Sequence, residues 1–340
     1  MKVLLYDATL AFLTPGGKTT QFVKLQHEIS KLGIDIQFAR WWDESQSDAD
    51  VIHFFHPDMH VAKLAKSKGI KTYFTMLFDY ETNKTEREKK IKIFKNGIVE
   101  SLSKFIPVNS YWHALPYMDK VQFMHKYDQL NALRYFPKYL NEEKTLIIPE
   151  AYDPADMNIS EDLDIKKLNL PEKYLISVAN ISIRKQTLKL AKYAKAARVP
   201  VVFLGSKIES DPYYLTFKSE IDNKYVFYPG YVSKEWKDHL LANATGYALL
   251  SSGESGCIAV YEAAAYKLPL FLSNLPWAWG YEAPSDIHYC NQNNPEKAIK
   301  ELKEFYEKSG KLNHTPFRVR TWAEVAKMYV KQYEELVNAK

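Results

Sequence analysis

Short apolar runs rich in β-branched residues alternate with amphipathic segments along the whole chain. This alternation is typical of parallel strands joined by crossover helices, so the sequence predicts an α/β fold. The first unit of the pattern is a strand at residues 3–6, the loop TPGGKTT and a helix that ends at Gly33. Helical spacing predicts that the apolar face of this helix consists of Phe22, Leu25, Ile29 and Leu32.

The predicted strands fall into two sets, separated by the segment EAYDPADMNISEDLD, whose Asp and Pro content indicates a linker. Because each set repeats the alternation, we expect two Rossmann-like, doubly wound domains that face each other across a ligand-binding cleft. The first is predicted over residues 1–160 and the second over residues 161–318. After residues 3–6, the predicted strands are 34–38, 51–55, 71–76, 105–108 and 146–148 in the first domain, and 174–179, 199–205, 225–228, 247–251 and 268–273 in the second.

Composition narrows the class of protein. With 340 residues, of which 46% are hydrophobic, the chain can bury a core in each domain. Two cysteines, Cys257 and Cys290, do not make a disulfide framework, which favours a reducing, cytoplasmic setting. The start, MKVLLYD, predicts a strand, because its apolar run is shorter than a secretory signal requires, and no run reaches membrane-spanning length.

The net charge of +5 is unevenly placed along the chain. Residues 1–165 hold 21 basic and 23 acidic side chains, whereas residues 166–340 hold 25 basic and 18 acidic ones. A modest basic excess of this kind suits an anionic small ligand or an acidic membrane surface. It argues against a dedicated nucleic-acid binder, which concentrates more charge on one element.

The stretch SSGESGCIAVYEAAAYKLPLFLSN, residues 251–274, carries the most chemical information. A strand runs into a turn of small residues and then into a helix, so Ser255 and Gly256 let a phosphate approach the backbone N–H groups at the helix start. Glu254 and Glu262 bracket this turn, and carboxylates accept hydrogen bonds from sugar hydroxyls. The structural alternative is that Glu254 caps the helix and Glu262 is a solvated helix residue.

Glu254 and Glu262 form an E-x7-E motif, and the chain around them resembles a family 4 glycosyltransferase with the GT-B fold. The resemblance covers almost the whole chain and rests on the order and spacing of several stretches. These include the glycine pair of TPGGKTT, IPEAYD at the domain junction, YLISVANISIRKQ with VVFLGS, and YVFYPGYVSKEWKDHLLANATGYALLSS. The terminal FRVRTWAEVAKMYVKQYEEL is similar to the family's last helices, which implies that residues 319–340 form a helix returning toward the first domain.

The resemblance implies a donor site on the second domain. In such enzymes the first glutamate contacts the donor sugar and the second holds the ribose, roles that would fall to Glu254, as a catalytic residue, and Glu262. Lys185 matches the basic residue that neutralises the donor diphosphate. Arg184 is the candidate to replace an arginine that the family carries where this chain has Asn180. The implied donor-binding set is completed by Gly16, Gly17, Ser255, Gly256, Cys257 and Ile258.

The resemblance implies an acceptor side on the first domain. Many relatives carry a histidine immediately before an aspartate, whereas this chain has Phe78 before Asp79, so the role of that histidine beside the reacting sugar is missing. Retaining members are thought to react on the front face, with the leaving phosphate taking the acceptor proton, so an enzyme without the histidine is chemically reasonable. Asp79 is a candidate for catalysis and acceptor contact or, alternatively, a helix cap. His56 is an acceptor-side candidate in a loop expected to face the cleft.

Two other functions are considered from short patterns. His53, His56 and His60 form H-x2-H-x3-H, but a strand followed by a loop offers these side chains no common face, so we expect no metal. A nicotinamide-dependent oxidoreductase would share the α/β pattern, yet the first strand leads into TPGGKT rather than G-x-G-x-x-G. We therefore expect no cofactor.

Residues 84–105 combine basic and apolar side chains at helical spacing. One interpretation is a connector helix that packs its apolar face on the core, as a parallel sheet requires. The other is a basic amphipathic helix that lies on anionic lipid. The basic residues are Lys84, Arg87, Lys89, Lys90, Lys92 and Lys95, and the apolar residues are Ile91, Phe94, Ile98, Leu102 and Phe105.

Together these patterns predict a cytoplasmic, retaining and metal-independent hexosyltransferase. It would move a sugar from a nucleotide diphosphate, with uridine expected as the base, to a glycan or lipid-linked acceptor in surface polysaccharide or glycoconjugate synthesis. Peripheral contact with the inner face of the membrane follows only from the second interpretation of residues 84–105. The alternative function is a non-catalytic GT-B subunit that binds a partner or a glycan, because Phe78 and Asn180 replace family residues.

Overall fold

The chain divides into two α/β units, each with its own sheet and core. The computed structural model describes residues 1–9, 16–78, 81–102, 111–153, 169–281 and 285–339. Unit 1 consists of Met1–Ala151 together with Arg320–Lys340, and unit 2 consists of Tyr152–Val319. The predicted α/β class, with two doubly wound domains, is confirmed.

Unit 1 is built on a six-stranded, all-parallel sheet with the strand order β2-β1-β3-β4-β5-β6. The order reverses between β1 and β3, and the carboxyl ends of strands at such a switch point are the usual ligand site of open α/β sheets. The strands are β1 (Lys2–Asp7), β2 (Asp35–Phe38), β3 (Val51–His56), β4 (Lys71–Thr75), β5 (Lys120–Phe123) and β6 (Thr145–Ile147). The helices between them are α1 (Gly17–Ser30), α2 (Met59–Ser67), α3 (Glu86–Leu102) and α4 (Lys126–Tyr135), with 3-10 turns at Glu44–Gln46, Glu81–Asn83 and Tyr111–Tyr117.

Unit 2 repeats this architecture with the strand order β12-β11-β10-β7-β8-β9. Its switch point lies between β7 and β10, which pair directly. The strands are β7 (Leu175–Val178), β8 (Val201–Leu204), β9 (Val226–Gly230), β10 (Gly246–Leu249), β11 (Leu270–Ser273) and β12 (Ile287–Cys290). The helices are α5 (Thr187–Ala197), α6 (Pro212–Lys218), α7 (Lys234–Asn243), α8 (Ile258–Ala265), α9 (Pro276–Trp279) and α10 (Pro295–Lys308), and the chain ends in unit 1 with α11 (Trp322–Asn338).

Two strands were missed by the hydrophobic pattern. β5 reads KVQF and β12 reads IHYC, and each has only four residues with a polar one among them. Such a short segment does not show the continuous apolar run of a buried strand, so only its pairing with β4 or β11 identifies it. The strand predicted at residues 105–108 lies outside the described residues.

The first helix is correctly predicted except at its end. Phe22, Leu25 and Ile29 are buried on one face of α1, as the spacing requires. The helix ends at Ser30 rather than at Gly33, so Leu32 falls beyond the last turn and is 40% exposed. Its assignment to the buried face was wrong.

Gly205 is required by a close approach of two strand ends in unit 2. A Cβ atom at this position would lie 2.1 Å from the carbonyl oxygen of Ala179, which no side chain tolerates. The glycine of VVFLGS therefore lets the segment after β8 pass directly beside the segment after β7. This contact fixes the base of the loop that carries Arg184 and Lys185.

A buried polar network attaches α11 to the sheet of unit 1. The ring of His53 contacts the hydroxyl of Tyr333 at 2.7 Å through Nδ1 and that of Thr75 at 2.7 Å through Nε2. Tyr329 donates to Gln122 Oε1 at 2.9 Å. Burial lowers the pKa of His53, so the imidazole is neutral and acts as one donor and one acceptor. The last helix is thus held by hydrogen bonds, which fix its position with a directionality that apolar packing alone does not have.

We expect Tyr333→Phe to lower the free energy of unfolding by about 1 to 3 kcal/mol, because it leaves a buried ring nitrogen of His53 without a partner. Urea denaturation followed by circular dichroism measures the change. Tyr231→Phe, at an exposed position, is the matched control. Equal denaturation midpoints for the two variants would show that the network does not stabilise the fold.

Candidate functional site

The switch point of unit 2 brings two loops together. The segment after β7 carries Arg184 and Lys185, and the segment after β10 carries Glu254. Since β7 and β10 are adjacent parallel strands, their carboxyl ends lie side by side. Three of the residues predicted to bind a donor, Arg184, Lys185 and Glu254, are therefore neighbours in space, although about 70 residues separate them in the chain.

Glu254 is held between two cations. Lys185 Nζ donates to Glu254 Oε1 at 2.6 Å, and Arg184 NH1 donates to Glu254 Oε2 at 2.9 Å. The side chain of Glu254 is buried, that of Lys185 is 12% exposed, and that of Arg184 is 34% exposed. The alternatives in which Glu254 caps the helix or Lys185 is solvated surface are wrong, because both groups are buried in this contact.

The electrostatics of Glu254 follow from this arrangement. Burial raises the pKa of the carboxyl, but the charges of Lys185 and Arg184 outweigh burial and leave the pKa below its ordinary value. Burial lowers the pKa of Lys185, whereas its acidic neighbours, including Glu254, raise it, and the net pKa lies above the ordinary value. The carboxylate and the ammonium group are thus both charged at neutral pH.

Backbone hydrogen bonds lock the two loops together. The carbonyl oxygen of Arg184 accepts from Ser252 N at 2.8 Å, from Ser251 Oγ at 3.1 Å and from Ser252 Oγ at 3.0 Å. The carbonyl of Ser251 accepts from Ser273 Oγ at 2.7 Å and from Trp277 Nε1 at 3.0 Å. These bonds fix the backbone of both loops, and so they limit where the side chains of Arg184, Lys185 and Glu254 can lie.

Glu262 lies in the second turn of α8, where it is buried and not solvated. Its Oε1 accepts from Lys237 Nζ on α7 at 2.6 Å. Burial raises the pKa of Glu262, and Lys237 only partly offsets this effect. The sequence analysis missed Lys237, because nothing in the local pattern of α7 distinguishes it from the neighbouring Lys234.

The residues between the two glutamates form the entry of α8. Ser255 is buried, Gly256 is partly exposed, and Ile258 is the first helical residue. Cys257 occupies the N-cap position without a side-chain cap, and burial raises the pKa of its thiol to about 11, so the thiol stays protonated. The helix begins four residues after Glu254, not directly after it, which leaves Glu254 in the loop.

The carboxyl ends of β1 and β3 form the corresponding switch point in unit 1. Asp7 and His56 are opposite each other in the strand register, and Lys18 Nζ lies 2.8 Å from Asp7 Oδ2. Burial raises the pKa of Asp7, but the bond from Lys18 and those from the neighbouring Thr9 bring it below its ordinary value; burial lowers the pKa of His56. An ionised carboxylate and a neutral imidazole therefore lie side by side.

The other residues of unit 1 that the sequence analysis singled out lie in different environments. Gly16 caps α1 in an extended conformation and Gly17 opens the helix, and both are exposed. Phe78, which stands where relatives have a histidine, is buried against Phe123 and Tyr135 and belongs to the core. Asp79 lies outside the described residues.

The histidine motif does not form a metal site. Both ring nitrogens of His53 are engaged with Tyr333 and Thr75. Among the residues that the structure describes, no three His, Cys, Asp or Glu side chains group as metal ligands.

The helix α3 presents part of its apolar surface to solvent. Phe94 is 70% exposed, and Ile91 and Ile98 are exposed beside it, whereas Ile93 and Val99 pack on the core of unit 1. The connector interpretation therefore holds for one face only, and Ile91, Phe94 and Ile98 do not form it. Within the described chain, no helix has the length and apolar content needed to cross a bilayer.

Comparison with known proteins identifies unit 2. Residues 158–316 match the family model described as glycosyl transferases group 1. No curated protein matches the chain significantly by sequence. Unit 2 therefore resembles a glycosyltransferase domain, and the predicted glycosyltransferase class is confirmed, whereas hexosyl transfer and metal independence stay predictions.

Solved structures resemble the whole chain at low identity. A sucrose-phosphate synthase from Thermosynechococcus elongatus is 11% identical with a TM-score of 0.72, and the match covers 100% of both chains. HepE from Anabaena, solved in complex with UDP, is 12% identical with a TM-score of 0.63 over 99% of this chain and 100% of that one. A UDP-forming α,α-trehalose-phosphate synthase from Burkholderia xenovorans is 10% identical with a TM-score of 0.66 over 95% and 80%. At these identities the likeness shows the GT-B fold and not the substrate.

We expect Lys185→Met to lower the free energy of unfolding by about 3 kcal/mol, because it removes the more buried partner of a buried carboxylate. Arg184→Met should cost less, since solvent screens the partly exposed guanidinium. Urea denaturation of both variants at neutral pH compares them. If Arg184→Met destabilises the chain as much as Lys185→Met, the buried ion pair is not the dominant interaction.

Proposed function

We propose that the chain is a retaining family 4 glycosyltransferase that binds a nucleotide diphosphate sugar on unit 2. The observation that carries the proposal is the Glu254 carboxylate, buried between Arg184 and Lys185 at the switch point of a glycosyltransferase domain. Two neighbouring cations, one of them 34% exposed, are a fitting partner for a diphosphate, and a carboxylate beside them is a fitting partner for sugar hydroxyls.

Arg184 and Lys185 would neutralise the diphosphate of the donor. Without a ligand, Glu254 offsets one of their two positive charges, so neither cation is left without a counterion. The charge that develops on the leaving diphosphate would be stabilised by the same two side chains together with the start of α8 near Gly256. Glu254 would then be freed to accept hydrogen bonds from the sugar, with strength gained as transfer proceeds.

Glu262 would hold the ribose of the nucleotide through its two hydroxyls. Lys237 places a positive charge beside this buried carboxylate and so favours its ionised form. An ionised carboxylate accepts two hydroxyl donors, whereas its protonated form would lose part of that capacity. Uridine is proposed as the base, since HepE, whose structure resembles this chain, is solved in complex with UDP.

The acceptor would bind unit 1 near His56, with Asp79 as a further candidate. The leaving phosphate would take the acceptor proton in a front-face reaction, which requires no histidine at the position of Phe78. We propose a glycan or lipid-linked acceptor, used in surface polysaccharide or glycoconjugate synthesis in the cytoplasm. The burial of Phe78 in the core explains why it adds no chemistry, and the match of unit 2 to glycosyl transferases does not favour the alternative of a non-catalytic subunit.

The exposed face of α3 favours a second role, contact with an anionic membrane surface. Ile91, Phe94 and Ile98 form an exposed apolar stripe, and Arg87, Lys90 and Lys95 are exposed around it. Apolar side chains flanked by basic ones are the composition of helices that lie in the plane of a membrane. This contact would place the transferase beside a lipid-linked acceptor.

We expect the chain to sediment with vesicles of phosphatidylcholine and phosphatidylglycerol at low salt and to be released at high salt. Phe94→Ser should weaken this binding roughly tenfold, because it removes a large apolar side chain from the contact. Ile208→Ser, at an exposed position of unit 2, is the control. Lack of binding by the unaltered chain at low salt would contradict the membrane role.

We expect that removing the charge of Glu262 weakens nucleotide binding, whereas removing the charge of Glu254 lowers turnover. Glu262→Ala should weaken UDP binding by roughly tenfold or more, since it removes charge-assisted hydrogen bonds to the ribose. Glu254→Gln should bind UDP at least as tightly as the parent, because the amide no longer competes for Arg184 and Lys185. Its turnover, measured as UDP release from a panel of UDP-sugars, should fall by roughly a hundredfold.

Calorimetry with UDP measures the affinity of the parent and of Glu262→Ala. Each titration is repeated with a chelator, because the proposed site binds UDP without a metal. Glu220→Gln breaks another carboxylate–lysine pair of unit 2, with Lys195 at 3.0 Å, and serves as the control. All variants are first compared by thermal melting. Full turnover by Glu254→Gln, or parental UDP affinity in Glu262→Ala, would refute these roles.

A further inference from the structure

Two adjacent tryptophans stand in solvent after the edge strand β2. The indole of Trp41 is 92% exposed and that of Trp42 is 67% exposed. Their ring centroids are 5.4 Å apart and the ring planes are nearly perpendicular. Exposing two of the largest apolar side chains to water is unfavourable. Exposed aromatic pairs of this kind are typical of surfaces that bind a ligand.

The loop that carries the tryptophan pair is tightly built. The buried amide of Gln46 donates to the carbonyl of Phe38 at 3.0 Å and accepts from Arg40 N at 2.7 Å. Asp43 N donates to the carbonyl of Arg40 at 3.0 Å, and Asp43 Oδ1 caps the following turn. The two indoles are therefore held on a fixed backbone, which reduces the entropy lost when a ligand binds them.

The strand register places the tryptophan pair beside the switch point of unit 1. Leu5 on β1 is opposite Phe38 on β2, and Asp7 on β1 is opposite His56 on β3. β2 ends at Phe38, and Ala39 N still donates to the carbonyl oxygen of Leu5 at 2.8 Å. Because parallel strands end at the same edge of a sheet, the tryptophan pair follows β2 at the carboxyl edge that also carries Asp7 and His56, where the acceptor is proposed to bind.

The surrounding chemistry favours a saccharide over an anionic lipid surface. Residues 41–50, WWDESQSDAD, contain four acidic side chains and no basic one. Arg40 is paired with Asp43 Oδ2 at 2.5 Å and with Gln37 Oε1 at 3.2 Å. Acidic groups repel anionic lipid, whereas carboxylate, amide and guanidinium groups beside a flat aromatic face offer hydrogen bonds to hydroxyls and a stacking surface for the C–H face of a sugar ring.

We propose that Trp41 and Trp42 form a stacking platform for a sugar unit of an oligosaccharide acceptor, one or more units away from the reacting hydroxyl. This rests on the proposed function, because it assigns a substrate class to the acceptor side of unit 1. The platform is distinct from the stripe of α3, which has basic surroundings. The acceptor is therefore an extended glycan chain rather than a single sugar.

The test uses the full chain labelled with 5-fluorotryptophan, in which the seven tryptophans give separate fluorine resonances. Trp41→Phe and Trp42→Phe assign two of them. Cellohexaose, maltohexaose and chitohexaose are titrated in turn, with glucose and N-acetylglucosamine as the monosaccharide controls. We expect at least one hexasaccharide, and neither monosaccharide, to shift both resonances, and Trp41→Ala with Trp42→Ala to weaken that binding roughly tenfold or more.

Leu64→Ala, at an exposed apolar position on α2 of the same unit, should leave the hexasaccharide affinity unchanged. If none of the three hexasaccharides shifts the two resonances, or if anionic vesicles shift them instead, the platform is refuted. UDP is titrated separately. Failure of UDP to bind would count against the proposed function alone, while loss of hexasaccharide binding with UDP binding intact would count against the platform alone.

Discussion

The buried carboxylate of Glu254 is the interaction on which the rest of unit 2 depends. A carboxylate in this environment would take up a proton unless opposite charges stood beside it, and here Lys185 and Arg184 supply them. Meeting that need requires the loops after β7 and β10 to lie together, and the bonds to the Arg184 carbonyl hold them there. One electrostatic requirement therefore fixes the geometry of the candidate donor site and keeps its two cations beside a carboxylate counterion.

Unit 1 also buries polar groups in its core, but those that attach α11 are neutral and are satisfied by hydrogen bonds. His53 stays neutral and exchanges hydrogen bonds with Tyr333 and Thr75, so no charge needs to be balanced. This network attaches α11 to the sheet, whereas the ion pair of Asp7 and Lys18 lies at the carboxyl end of β1. The switch point of each unit thus carries an ion pair, at the position where open α/β sheets bind ligands.

Apolar side chains left in solvent mark two further surfaces of unit 1. The stripe of α3 has more basic than acidic exposed neighbours, Arg87, Lys90 and Lys95 against Glu88, whereas the charged residues that follow the tryptophan pair over residues 43–50 are all acidic. Since exposure of large apolar groups is unfavourable in both cases, the sign of the surrounding charge is what separates their partners. An anionic surface suits the first, and an uncharged, hydroxyl-rich chain suits the second.

The sequence by itself determined the α/β class and the two doubly wound domains, because these rest on local periodicity. Glu254, Glu262, Arg184 and Lys185 were named from the family resemblance, and their roles in donor binding stay predictions. Only the tertiary structure decided that Lys237 pairs with Glu262 and that Phe78 belongs to the core. The strands β5 and β12 and the solvent-facing stripe of α3 likewise depended on it. Each of these depends on which distant segments pack together, and a local pattern of four or seven residues carries no information about that.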